Sequence, residues 1–199
     1  MRRRSPIHHE GTARSGLPAE AGAWLLPAAR SSIAAHLGAP VEPPPTPAWA
    51  QSEGACFVTL TVRDDDSLRG CIGSLRAWRP LAADVAGNAV AAATRDPRFP
   101  AVTRRELDGL RVEISVLSAP EPLEFVDQAD LAHRLRPGID GVILSWRAHR
   151  GTFLPQVWEE LPDPARFRDQ LKRKAGLPAD WWDDDADIER YTVAAWKEP

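Results

Sequence analysis

Cysteine is scarce in this chain: its 199 residues include two, Cys56 and Cys71. So few cysteines exclude a disulfide framework, and their separation is not a metal-ligand spacing. The histidines are no better placed. His8 and His9 are adjacent near the start, while His36, His133 and His149 lie far apart, so no metal centre and no resident cofactor are expected. A long apolar run is missing too; nothing approaches the roughly 18 to 20 residues a membrane span takes. Arg2-Arg3-Arg4 is basic, but Ser5-Pro6-Ile7-His8-His9-Glu10 follows where a secretory signal would be apolar. These absences argue for a reduced, cytoplasmic protein with no membrane partner. The net charge is −3, without a basic field in the interior. That argues against nucleic acid as the main partner and leaves the arginine run as a solvated tail. Neither a phosphate-binding glycine loop nor a nucleophile-elbow serine is present.

What remains reads as a folded chain. A hydrophobic share of 43% against 27% charged fits a globular protein, and the length suits one domain or a domain with a smaller lobe. Residues 1–16 read as a disordered or loosely attached tail, and 17–199 as a single domain. Pro40, Pro43-Pro44-Pro45 and Pro47 stiffen a linker. Before it, a helix is expected over Pro18 to Leu37, which Pro27 either kinks or opens at its main part. An alanine-rich helix is expected over Pro80 to Thr94, and another opens at Asp163-Pro164 and ends at Gly176. Strands are expected at Cys56–Val62, Leu68–Leu75, Arg111–Leu117, Gly141–Trp146 and Ile188–Trp196, with His149-Arg150-Gly151 as a turn. Strands and helices without a regular alternation indicate an α+β fold, with a mixed, mainly antiparallel sheet and packed helices.

The stretch "TVRDDDSLRGCIGSL", Thr61 to Leu75, carries the chemistry worth weighing. Paired as a hairpin, it sets Val62 opposite Leu68, Leu60 opposite Gly70 and Thr59 opposite Cys71. Alternation then collects Cys56, Val58, Leu60, Val62, Leu68 and Ile72 on a core face, and Phe57, Thr59, Thr61, Arg69, Cys71 and Gly73 on the other. A disulfide between Cys56 and Cys71 is therefore not expected. A guanidinium beside Cys71 favours its thiolate, and Gly70 and Gly73 permit a ligand or another backbone to come close. The plainer reading is a small buried cysteine, glycines at a bulge and an Arg69–Glu113 ion pair.

Six segments together resemble a known family. They are "SLRGCIGSL" at Ser67–Leu75, "TRDPRFPAVTRREL" at Thr94–Leu107, "VEISVLSAPEPL" at Val112–Leu123, "PGIDGVIL" at Pro137–Leu144, "GTFLPQVWEEL" at Gly151–Leu161 and "LKRKAGLPADWW" at Leu171–Trp182. In this order they resemble the AMMECR-type domain, whose bacterial and archaeal members are called AmmeMemoRadiSam system protein A. The resemblance covers roughly residues 20 to 197. It implies a larger and a smaller lobe with a cleft between them, near which the Arg69–Gly73 segment lies. It also implies a Memo-like protein and a radical S-adenosylmethionine protein as partners. This chain lacks the cysteine triplet such a cluster takes, so the radical chemistry would belong to the partner. Some members have a histidine where this chain has Asp140, so no role requiring imidazole is carried over to that position.

The remaining candidates each carry two readings. Arg98 oriented by Asp96 is an anion or substrate clamp, or the pair locks a proline-bounded loop that Phe99 plugs. Thr152, Gln156 and Trp158 line a pocket, or Phe153, Leu154 and Trp158 are core. Two functions follow. One is an enzyme or enzyme subunit using Cys71 and Arg69 as catalytic residues, with Gly70, Gly73, Asp96, Arg98, Thr152 and Gln156 binding substrate. The other is a noncatalytic module that presents a substrate to the partners.

Overall fold

The computed structural model describes residues 17–199; the expected tail, 1–16, lies outside the described residues. Two four-stranded sheets, antiparallel at every pairing, each support their own helices. The α+β expectation holds, but with two sheets in place of one mixed sheet.

The first sheet has the order β2-β1-β3-β8, built from β1 (Ala55–Val62), β2 (Leu68–Gly73), β3 (Leu110–Leu117) and β8 (Val193–Lys197). Its apolar face carries Cys56, Val58, Leu60, Val112 and Ile114, all fully buried. Each buried side chain of this size stabilises the fold by about 1.5 to 3 kcal/mol. Helices α1 (Gly22–His36) and α2 (Leu81–Thr94) cover that face. The alanines of α2 let it sit very close: a Cβ on Gly70 would stand 2.2 Å from the Ala92 carbonyl oxygen. Pro27 falls inside α1 and does not open it.

The hairpin register departs from the expected one at a single place. Thr59 faces Cys71 and Leu60 faces Gly70, but Thr61 faces Leu68, so Arg69 is an extra residue in β2. This bulge moves Leu68 off the core face, leaving it 39% exposed. Val62 and Ile72 still pack against the core as expected.

The second sheet has the order β4-β7-β5-β6, from β4 (Glu121–Pro122), β5 (Gly141–Trp146), β6 (His149–Phe153) and β7 (Asp187–Tyr191). The expected turn at His149–Gly151 is strand; the chain reverses at Arg147, whose φ is +52°. Helix α4 (Pro164–Lys174) opens as read, with Asp163 capping the Arg166 N–H at 2.8 Å and Pro164 at the first position. Gly151 has no Cβ to meet Ala175 N, which would be 2.8 Å away, so α4 lies directly on β6. A further helix, α3 (Gln128–Arg134), was not expected. The expected final strand is two strands. It breaks at Thr192, with β7 in the second sheet and β8 in the first.

A small cluster of Ala55, Leu117, Ile143 and Tyr191, with Phe57, Leu75 and Leu154 against it, joins the two sheets. An Arg76–Glu189 ion pair at 2.8 Å crosses the same junction.

Candidate functional site

β2 is an edge strand, so half of its backbone N–H groups point away from the sheet and must find other partners. The Cys71 N–H donates to Asp96 Oδ2 at 2.8 Å. Asp96, 4% exposed, lies in the loop that leaves α2 and folds back along the edge. The same carboxylate accepts from Arg98 through Nε at 2.9 Å and Nη2 at 2.6 Å, and from the Arg98 backbone N–H at 3.1 Å. Those bonds, with the one from Cys71, hold the Asp96 carboxyl well below the ordinary carboxylate range, Arg98 contributing most. Arg98 is in turn made more basic, chiefly by its hydrogen bonds to Asp96. Its side chain is 53% exposed and its guanidinium lies 5.4 Å from the centre of the Phe99 ring.

Cys71 is half-buried and free, and its sulfur accepts a hydrogen bond from Thr59 Oγ1 at 3.3 Å. Directly across the sheet the row continues from Cys71 to Thr59 to Glu113 to Lys197. Strand spacing puts the Cys71 and Glu113 backbones roughly 10 Å apart with Thr59 between them. Burial raises the Glu113 carboxyl above its ordinary range, and Lys197 opposes that shift. Lys197 itself bonds to Asp66 at 3.2 Å. One row along, Thr61 Oγ1 is buried and has no partner among the described residues. The outer face of the sheet thus presents a thiol, two hydroxyls and a desolvated carboxyl.

Arg69 does not pair with Glu113. Its Nη1 donates to the Pro100 carbonyl at 2.8 Å and its Nη2 to Glu106 at 3.1 Å. The bulge explains the change: the extra residue turns its side chain past the sheet edge toward the returning loop. Gly70 faces α2, and Gly73 lies under the Phe57 ring, where a Cβ would be 2.3 Å from a ring carbon. Both glycines make room for protein atoms.

The structure therefore brings Cys71, Asp96 and Arg98 together, with Arg69 fixing the loop that carries Asp96 and Arg98. Thr152 and Gln156 belong to the second sheet's lobe. Thr152 Oγ1 bonds to the Val142 carbonyl at 2.9 Å and lies 3.2 Å from the Tyr191 hydroxyl, whose ionisation burial pushes up to about 12. Gln156 is exposed in the 3-10 turn Pro155–Glu159. Trp158 is core: it stacks on Phe167 at 3.7 Å, and its indole N–H donates to the Asp140 carbonyl at 2.7 Å. Asp140 is fully buried and paired with Arg136. Glu113 was named in sequence reasoning only as a partner for Arg69; its place on the cysteine's face follows from parity across β1 and β3. One cavity of about 340 Å³ lies at the proline linker and another of about 510 Å³ at the sheet junction; neither of these is lined by Arg69 or Cys71. Among the described residues no cluster of histidine, cysteine and carboxylate side chains could hold a metal ion. No helix of the described residues is long and apolar enough to cross a membrane.

The AMMECR1 family model matches residues 26–196. A protein of Thermofilum pendens is 40% identical over 178 residues, covering 83% of this chain and 84% of its own. One of Thermotoga maritima is 42% identical over 162 residues, covering 79% and 85%. The crystal structure of an uncharacterised protein from Pyrococcus horikoshii superposes with a TM-score of 0.79 at 35% identity, over 90% of this chain and 92% of that one.

Proposed function

The chain belongs to the AMMECR1 family, and from that premise we propose that it is an enzyme, or a subunit of one, working from the outer face of its first sheet. Cys71 supplies a nucleophile. Arg98, exposed and turned by Asp96, grips an anionic group on a small or protein-borne substrate. Glu113 exchanges a proton with the substrate's far side, since a direct transfer to the sulfur across roughly 10 Å is out of reach. Arg69 acts on this site through the loop it holds. The partners are a Memo-like protein and a radical S-adenosylmethionine protein, in a reducing cytoplasm where both cysteines stay free.

The observation that carries this reading is Asp96. A nearly buried carboxylate joins the backbone of the one half-exposed cysteine to an exposed guanidinium.

The test is the rate of Cys71 alkylation against pH in the intact protein. Ready alkylation of Cys71 at neutral pH is expected. An inert thiol at every pH would favour the second reading, a noncatalytic module that presents substrate to the partners. One observation favours that reading: the neighbour bonded to the sulfur is Thr59, which is no general base.

A further inference from the structure

The cavity at the sheet junction lies where the chain passes between the sheets, at the ends of β3 and β7. Ser118, Glu121, Arg136, Arg190, Tyr191 and Thr192 line its volume of about 510 Å³. That is within the range of small-molecule sites, which favour such junctions. It shares no lining residue with the Cys71 face.

Its two arginines are held but not saturated. Asp140, fully buried, accepts from the Arg136 backbone N–H at 2.9 Å, from Nε at 3.0 Å and from Nη2. Asp140 is anchored in turn by the Trp158 indole bonded to its carbonyl and so fixes the Arg136 guanidinium, while Nη1 donates to nothing among the described residues. Arg190 gives its Nε to Glu121 at 2.8 Å, and both of its terminal nitrogens are without a partner there. Glu121 also lies near enough to Arg136 to raise its basicity. Yet the Glu121 side chain is 61% exposed, on the two-residue edge strand β4. It is a carboxylate at the mouth of a cavity, bonded to the Arg190 guanidinium and within the field of Arg136, and turning it out to solvent costs little.

We propose that this cavity binds the carboxylate of a small organic acid, which takes the place of Glu121 between Arg136 and Arg190. The charges select the class. With Glu121 turned out, two arginines face one carboxylate, Asp140, and one positive charge is left for a monoanion to neutralise. A phosphate dianion would leave the site negative. The partnerless Nη atoms supply the fork that a carboxylate's two oxygens fit, and Thr192 lines the same cavity; the Ser118 hydroxyl is already bonded, donating to the Ala119 carbonyl and accepting from the Thr192 N–H.

Calorimetric titration of the full chain with acetate, butyrate and benzoate, against inorganic phosphate at matched ionic strength, tests this. Saturable binding of the monocarboxylates, stronger than that of phosphate, is expected. Glu121→Gln removes the internal competitor and should tighten binding about two- to fivefold. Arg190→Gln should weaken it about tenfold or more. In the unsubstituted protein, the Arg136 and Arg190 guanidinium NMR signals should shift together on adding benzoate, which reads the site even where a variant fails to fold. No saturable shift at either arginine, tighter binding of phosphate, or an unchanged affinity in a folded Glu121→Gln would overturn the proposal.

Discussion

The first sheet carries one cysteine on each face, and the two are held by the same connection. The Cys56 N–H donates to Asp84 at 2.9 Å, and Arg79 Nε donates to the same carboxylate at 2.9 Å. The Cys71 N–H donates to Asp96 at 2.8 Å, and Arg98 Nε donates to that one at 2.9 Å. The difference is enclosure. Asp84 is fully buried and also accepts from Asn88 and Ser74, while burial, and then the Asp84 charge, push the Cys56 thiol far up. Asp96 ends in an arginine whose side chain is 53% exposed, against 25% for Arg79. A cysteine–aspartate–arginine connection thus serves as an interior peg on one face and leaves a sulfur and a guanidinium within reach of solvent on the other. Anchoring alone does not mark a site; access decides.

The largest expected effect sharpens that contrast. Asp84→Ala strips an enclosed network of its acceptor and should cost about 3 to 5 kcal/mol. Asp96→Ala frees an arginine that water can solvate and should cost about 1 to 3 kcal/mol. Denaturant titration of the two variants checks the order. Equal losses would mean that Asp96 is as much a structural peg as Asp84.

A smaller effect of mixed sign is expected with pH. The Asp96 carboxyl is depressed, so its stabilisation is full above the unfolded value of about 3.9 and is lost as pH falls through the folded value. Glu113 is raised by burial, so its contribution is present below about 4.3 and is lost as pH rises through its folded value. At pH 7, Glu113→Gln should therefore stabilise slightly, whereas Asp96→Asn destabilises. A Glu113→Gln variant less stable than the parent would show that the carboxylate is satisfied, and would remove it from the site.

The smallest effect belongs to Arg69. A double-mutant cycle with Glu106 should give a coupling of at most about 1 kcal/mol, and a cycle with Glu113 none. Coupling to Glu113 would contradict the bulge.

Much of this was legible in residue order. Alternation alone put Cys56 and Cys71 on opposite faces, and Asp163-Pro164 with Gly176 bounded α4, because cap and period are local chemistry. What was not legible is tertiary. The extra residue at Arg69 changes the partner of that side chain from Glu113 to Glu106; Gly70 offered a bulge as one reading, but neither its exact place nor the new partner followed from local pattern. No glycine, proline or other turn residue in Ile188–Trp196 announces a break at Thr192, although the chain changes sheets there. Asp127 caps α3 through its side chain, but seven residues gave too short a period to read. The turn at Arg147 carries no glycine or asparagine to announce its positive φ. The Asp96–Arg98 pair was readable from spacing. Its bond to the Cys71 backbone, on which the site rests, needed the loop to fold back along a sheet edge.

The most direct test of the site is competitive labelling of the two cysteines with iodoacetamide in the folded protein at neutral pH, with and without Arg98→Gln. Cys56 serves as the enclosed reference. Cys71 is expected to be labelled first by a wide margin, and Arg98→Gln to slow it severalfold while Cys56 does not change, since a lost guanidinium disfavours the thiolate. A Cys71 as slow as Cys56, or one indifferent to Arg98, would contradict the proposed site.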